Sequence, residues 1–519
     1  MAGTHADFVE AKRDELIQRV SLVMPLADEL LQGNHINHES YANIQAESTT
    51  RKRMRELYKS LNNEQSKAAF YEALKKYEPY LVKELEGKYR RQDGDVVEDM
   101  RKRPNENQSL DQQFDGPQRV DNETHTKLKE QWVEKSKKYR KTFQELIEDP
   151  DLKSVGNGKL FLCIKNKYKI GRGAPGTQVY IGMRDDGTEV AVKRMVQDDN
   201  KQLKDEMKVL RNPKLEHKNI VRYLDFSEDQ DFVYLCLQLC EYDFEEYKKT
   251  SKPDQDSLKK VMKEVLLGLQ ALHDARIIHR DLKPWNILID VEGNARLADF
   301  GISRMINQDV STVHTSRAGT RGWEAAEILN TDGTRRYKTS TDIQVAGMLM
   351  YFILSGGKHP FGTENEREEN IRKGNYQLDE TTDVEAKDLI EKMIAHKPEG
   401  RLSIEEAVEH PYFWDDKGRD GFLREIGDME QVQNYKAVDA ELKEAVGKYE
   451  NSLGWRSKIT DFDPKFEKNI PDDLLGLLRF LRNRLVHRKD IFYQNNMYKE
   501  VFPEFYISAN QLAKEMKWK

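Results

Sequence analysis

At 519 residues the chain is too long for one compact core and implies three or four units. Charged residues at 34% against 37% apolar, with a mean hydropathy of -0.84, exclude a polytopic membrane protein and fit solvated helices and connectors. The net charge of -6, from 85 basic and 91 acidic residues, neither indicates nor excludes a nucleic-acid partner, and three cysteines (Cys163, Cys236, Cys240) supply neither a disulfide framework nor a zinc site.

The amino terminus, MAGTHADFVEAKRDEL, lacks the basic start and apolar core of a secretory signal, and no apolar stretch is long enough to span a bilayer. A cytoplasmic location without membrane contact is therefore expected. Residues 1–90 read as an all-α helical bundle: Leu16, Ile17, Val20, Val23 and Met24 recur at helical spacing, as do Met54, Leu57 and Leu61, then Phe70, Leu74, Tyr77, Leu81 and Leu85. Residues 91–155 read as a charged linker, rich at first in Asn, Gln, Pro and Gly. Its later part, weakly helical, carries Leu128, Trp132, Tyr139, Phe143 and Leu146 and is available to dock on the next domain.

Residues 156–415 begin with alternating apolar positions and a hairpin signal at Asp186 and Gly187, then turn helical from about Asp256. That order predicts an α+β bilobal domain, small β-rich lobe first. Gly171, Gly173 and Gly176 in IGRGAPGTQVY lie between β-like runs, where missing side chains let backbone N–H groups approach phosphate oxygens. The motif is weak alone, but EVAVKRM follows with Lys193 on a strand, and KDEMKVL places Glu206 on a helix within pairing reach of it. In IIHRDLKPWNILID, Asp281 is expected to accept or orient a hydroxyl proton, Lys283 to neutralise charge on the transferring phosphate and Asn286 to ligate magnesium. LADFGIS adds Asp299 as a second magnesium carboxylate. Four such blocks in this order resemble the eukaryotic-type protein kinases, which implies ATP and Mg2+ as cofactors. Within that resemblance Leu237 stands at the gatekeeper position, with Gln238, Leu239 and Cys240 as the hinge. Ser311, Thr312, Thr315, Ser316 and Thr320 are candidate regulatory phosphorylation sites, and Arg280 could receive a loop phosphate. Ala325-Ala326-Glu327 stands where kinases have Ala-Pro-Glu, with Arg401 the expected ion-pair partner of Glu327.

Residues 416–519 follow HPYFW without a flexible linker and read as all-α. In the helix LLGLLRFLRNRLVH, Leu474, Leu478, Leu481 and Leu485 form an apolar stripe, and Asn483 and His487 lie one helical turn apart. Arg479, Arg482, Arg484, Arg488 and Lys489 make the segment basic, which favours a phosphodiester backbone. The pairing of HPYFW with GWRSKI, this helix and VFPEFY resembles the kinase/endoribonuclease family of the unfolded-protein-response sensor and RNase L, whose kinase-extension nuclease domain follows the kinase. The resemblance implies Arg482, Asn483 and His487 as ribonuclease residues, no metal requirement for RNA cleavage, and 2',3'-cyclic phosphate products. The family's tyrosine is absent: the corresponding stretch offers Phe462, Phe466 and Asn469.

The amino-terminal bundle resembles a caspase recruitment domain (CARD), a death-fold module, through FVEAKRDELIQRV, LADELLQGNHINHESYANIQAE, RKRMRELYKSL and YEPYLVKELE. Basic Arg51, Lys52, Arg53 and Arg55 against acidic Asp28, Glu29, Glu39 and Glu47 suit head-to-tail assembly. The resemblances imply a cytosolic serine/threonine kinase/endoribonuclease in stress or innate immune signalling. Its expected partners are its own copies, through kinase and nuclease domains, other CARD proteins, and RNA. Two alternatives remain: a CARD-containing signalling kinase whose carboxy-terminal domain only dimerises it, and an ATP-dependent scaffold.

Overall fold

A computed structural model describes residues 2–20, 23–46, 50–78, 81–82, 85, 118–156, 158–172, 177–196, 207, 209–229, 231–305, 312–315, 319–331, 333, 335–381, 383–434, 438–449, 454–460, 470–488 and 500–518. The chain divides into two compact units, Met1–Leu110 and Asp111–Lys519.

In the first unit the helices Ala2–Ala11, Arg13–Arg19, Val23–Gln32, His38–Ala46, Thr50–Ser60 and Glu64–Tyr77 surround an apolar core. The periodic positions fill it: Leu16, Ile17, Val20, Met54, Leu57, Phe70 and Leu74 are buried. Asn63 caps the last of these helices by accepting from Ser66 N, with the Ser66 hydroxyl bonded back to the Asn63 main chain. Of the acidic face, Asp28 accepts from Tyr41 Oη and Glu29 pairs with Lys76 at 2.7 Å. Glu47 lies outside the described residues.

The second unit opens with an antiparallel sheet in the order β1-β2-β3-β5-β6-β8-β7, with β4 also pairing β5. Its strands are β1 (Gln118–Arg119), β2 (Lys153–Val155), β3 (Leu160–Leu162), β4 (Lys169–Arg172), β5 (Gln178–Arg184), β6 (Glu189–Val196), β7 (Tyr223–Glu228) and β8 (Phe232–Gln238). Gly187, at φ 81, turns the β5–β6 hairpin as Asp186-Gly187 predicts. The region between β1 and β2 holds two helices, Asn122–Gln131 and Arg140–Ile147, joined by a non-helical stretch at 132–139. Leu128, Phe143, Leu146 and Ile147 pack on Tyr168, just ahead of β4, and on Tyr180 and Ile181 of β5.

The larger helical lobe is built round Gln255–Asp274 and Thr339–Leu354, the latter buried on nearly every side. A further all-helical region then forms its own core from Phe422, Leu423, Trp455, Leu474, Leu478, Leu481 and Phe505. Its junction with the lobe is packed and bonded: Arg419 makes a buried ion pair with Glu385 at 2.5 Å, and the Trp414 ring packs on Phe422 and Tyr506. No described helix is long and apolar enough to cross a membrane.

Candidate active sites

The cleft between the lobes gathers residues that are far apart in sequence. Antiparallel pairing sets Lys193 on β6 between Val179 of β5 and Leu235 of β8, so its buried stem points one way. Its ammonium donates to Asp299 Oδ1 at 3.0 Å. Burial alone would raise the Asp299 carboxyl, but the Lys193 charge and hydrogen bond outweigh it and hold the group below its ordinary range. Gly171 sits on β4 opposite Val179. Gly173, Gly176 and Glu206 lie outside the described residues.

Asp281 is the centre of a second cluster. Lys283 Nζ donates to its Oδ2 at 2.5 Å, Thr320 Oγ1 to its Oδ1 at 2.7 Å, and Asn286 Nδ2 to its backbone oxygen at 2.7 Å. Lys283 also donates to Thr320 Oγ1 at 2.8 Å, so this hydroxyl, read from sequence as a phosphorylation candidate, stands inside the Asp281 cluster. Arg280 and Asp299 carry φ values of 70 and 64, a left-handed backbone that costs non-glycine residues about 1 kcal/mol or more and marks both loops as constrained. At Arg280 the constraint comes from Asp342, which sequence reading missed. Its buried carboxylate accepts from His279 N at 2.8 Å and Arg280 N at 3.0 Å, pinning the loop to the helix Thr339–Leu354.

Leu237 and Cys240 share a small apolar cluster with Val221 and Ala298, next to Asp299. Leu239 packs instead with the docked helices. The Arg280 guanidinium lies 4.1 Å from the Tyr337 ring centroid and donates to Ile302 O. The strand Val313–Thr315 pairs with Arg335–Tyr337 beside it, leaving Thr312 half-buried at its start. Ser311 and Ser316 lie outside the described residues. Arg401 makes a two-pronged bond to Glu327, at 2.9 and 2.7 Å, so the expected ion pair forms without the proline.

Among the described residues no three His, Cys, Asp or Glu side chains gather as a metal cage. Asn286 spends its amide nitrogen on Asp281, which leaves its carbonyl oxygen as the donor to pair with the Asp299 carboxylate. Two oxygen donors completed by phosphate oxygens and water suit magnesium.

In the carboxy-terminal region Asp473 caps the helix Leu474–Asn483 by accepting from Gly476 N at 2.8 Å. A Cβ on Gly476 would meet Pro471 O at 1.9 Å, so only glycine fits there. The helix is not regular to its end: residues Arg484–Arg488 form a π-helix. The single α-helical turn expected between Asn483 and His487 is thereby corrected, because i to i+5 bonding shifts the register of everything after Asn483. Arg482 Nη1 donates to Asn483 Oδ1 at 3.1 Å, and Arg482 Nη2 pairs with Asp428 at the end of the helix Asp416–Gly427, the first of this region. The His487 side chain and residues 461–469, where the tyrosine departure falls, lie outside the described residues.

The comparisons with known proteins agree with this geometry. The protein kinase domain family matches residues 164–413, the span that holds the cleft. This part of the chain is a protein kinase domain. Residues 6–88 match the caspase recruitment domain family, so the kinase shares its chain with a recruitment module. The chain resembles serine/threonine-protein kinase/endoribonuclease ire-1 of Caenorhabditis elegans, 32% identical over 62% of this chain and 35% of that protein. IRE1a of Arabidopsis thaliana is 31% identical over 64% of this chain and 45% of its own, and IRE2 of Homo sapiens 31% over 66% and 39%. Both carry the same kinase/endoribonuclease description. The resemblance to that family is borne out, while the chain spans less than half the length of these relatives.

Proposed function

We propose that the protein is a cytoplasmic serine/threonine kinase and endoribonuclease in which recruitment-domain clustering promotes kinase dimerisation, trans-autophosphorylation and RNA cleavage. The observation that carries this is the intact Asp281–Lys283–Asn286–Thr320 cluster in one compact unit with the Arg482–Asn483 pair. The relatives named kinase/endoribonuclease support both activities in one chain.

In the kinase, Asp281 orients the acceptor hydroxyl and takes up its proton, and Lys283 steadies charge on the transferring group. Lys193 holds phosphate oxygens, Asn286 and Asp299 hold magnesium, and the Gly171-Gly173-Gly176 turn covers the phosphates, with the base between Leu237 and the Leu239–Cys240 hinge. Magnesium, when bound, neutralises charge across the phosphates. Thr312, Ser311, Thr315 or Ser316, once phosphorylated, would draw Arg280 off Tyr337.

In the nuclease, attack by the ribose 2'-hydroxyl needs a proton acceptor, a proton donor and a cation at the phosphate. His487 moves the proton, Arg482 stabilises the charge and Asn483 fixes the guanidinium or contacts the phosphate. This chemistry uses no metal and leaves a 2',3'-cyclic phosphate. A signalling kinase with a purely dimerising terminal domain is the second reading, favoured by the absent tyrosine.

The test is cleavage of structured RNA by purified full-length protein with ADP or ATP. His487→Ala should lower the rate by roughly 10²-fold or more. Asp281→Asn should abolish autophosphorylation yet leave ADP-supported cleavage. Cleavage that survives His487→Ala would refute the site; no cleavage by any assembled form would leave the kinase alone.

A further inference from the structure

The non-helical stretch at 132–139 is bonded in an unusual way for a connector. Two carboxylates receive it, one on each side of the proposed adenine hinge. Glu189 opens β6 and accepts from Trp132 Nε1 at 2.9 Å and from Ser136 N at 2.7 Å. Glu241 immediately follows Cys240 and accepts from Lys137 N at 3.2 Å and Lys138 N at 2.7 Å. Both glutamates are buried, at 6% and 5% exposure.

Buried carboxylates are expensive unless such donors meet them. Burial pushes the Glu189 carboxyl up, and the Ser136 amide and Trp132 indole pull it back. The strap also seats closely on the β5–β6 turn: Val133 N donates to Gly187 O at 3.1 Å, and a Cβ on Gly187 would meet Gln131 O at 1.9 Å. On the hinge side, Lys138 Nζ pairs with Glu246 and lies 4.9 Å from the Tyr242 ring centroid.

These contacts have a common target. The residue after Glu189, Val190, pairs with Gln238, the last residue of β8 before Leu239 and Cys240. Glu241 N in turn donates to Ile289 O at 2.8 Å, tying the far side of the hinge to the larger lobe. The strap therefore fastens β6, the strand paired with the one that enters the hinge, and the larger-lobe backbone that leaves it, with four hydrogen bonds to two carboxylates from one short run of chain.

We propose that residues 132–139 brace the hinge, and that Glu189 and Glu241 are positioning residues that hold the Leu239–Cys240 backbone in its nucleotide-receiving geometry. The inference rests on the reading of 238–240 as the adenine hinge. It makes nucleotide affinity depend on a segment that lies, in sequence, between the recruitment and kinase domains.

The test compares full-length wild type with Glu241→Ala, Glu241→Gln and Trp132→Phe in steady-state ATP kinetics, and follows amide exchange at 136–138 and 239–240 with and without ADP and magnesium. Glu241→Ala should raise KM for ATP about 5- to 10-fold with kcat within about 2-fold. Glu241→Gln, which keeps one acceptor, should recover part of that loss. Trp132→Phe removes only the indole donor and should raise KM about 2- to 3-fold, which keeps the proposal open to refutation if Glu241→Ala does not fold. The surface variant Lys129→Ala should leave KM unchanged. ADP should slow exchange at the strap and the hinge together in the wild type. Unchanged KM in Trp132→Phe and in whichever Glu241 variants fold would overturn the brace. The hinge itself is checked by Leu237→Gly, which should admit an adenine analogue enlarged on its exocyclic nitrogen. If it does not, the hinge reading fails and the brace fails with it; if it does while KM is unmoved, only the brace fails.

Discussion

A side chain's chemistry here is set by what surrounds it, and the cysteines illustrate it. Burial pushes the Cys236 and Cys240 thiols up to about 12 and raises Cys163 as well. At pH 8 a thiol titrating near 12 is thiolate to the extent of about 10⁻⁴, too little for ready alkylation. Iodoacetamide should therefore leave the native protein's Cys236 and Cys240 unmodified over minutes and label all three cysteines after denaturation, as intact mass will report. Asp149 shows the opposite balance. It is buried, which would raise it, yet Lys165, Tyr168 and Lys167 bond to it and hold its carboxyl well below its ordinary 3.8. The unfolded chain then takes up the proton first as pH falls. The stabilisation is complete above about pH 5 and lost with acid. Asp149→Asn should lower Tm by a few degrees at pH 7, and the gap from wild type should narrow below pH 4; a gap that widens in acid would contradict the assignment.

Among elements, the activation segment and the helices behind it meet at Arg401. Its guanidinium is fully buried and bonds Glu327, Gln344 and three backbone oxygens. Arg401→Ala leaves Glu327 without its cation and should cost about 3–5 kcal/mol in urea unfolding of the kinase. This pair was legible in the sequence because it joins two motifs of fixed order. The Asp281 cluster was legible for the same reason, down to Lys283 and Asn286. Glu189, Glu241 and Asp342 were not: they sit in no spaced motif, and their role comes from backbone N–H groups brought to them by distant chain. The weak helical signal at 124–147 gave the two docked helices but concealed the strap, whose apolar Trp132 and Tyr139 fit either period. The π-helix at Arg484–Arg488 escaped for another reason, since a one-residue change in register leaves the leucine stripe intact up to Leu485.

For the whole molecule, the amino-terminal bundle, the bilobal kinase and the carboxy-terminal helical core were each visible as a distinct hydrophobic period, 3.6, then mixed, then 3.6 again. Their succession suggests a relay. Tethering by the recruitment domain would turn kinase encounter into a local event, raising its effective concentration to the millimolar range for short connections. The bonded Arg419–Glu385 junction would then carry a kinase dimer into a nuclease pair. Clustering should therefore be needed as such, and its particular source should not matter.

The most direct measurement replaces residues 1–90 with a chemically inducible dimerisation module and follows RNA cleavage as the inducer is titrated in the presence of ADP. The account predicts little cleavage without inducer, a rise of about 10²-fold or more as dimers form, and loss of that rise in His487→Ala. Equal cleavage with and without inducer, or a rise that His487→Ala leaves intact, would contradict it.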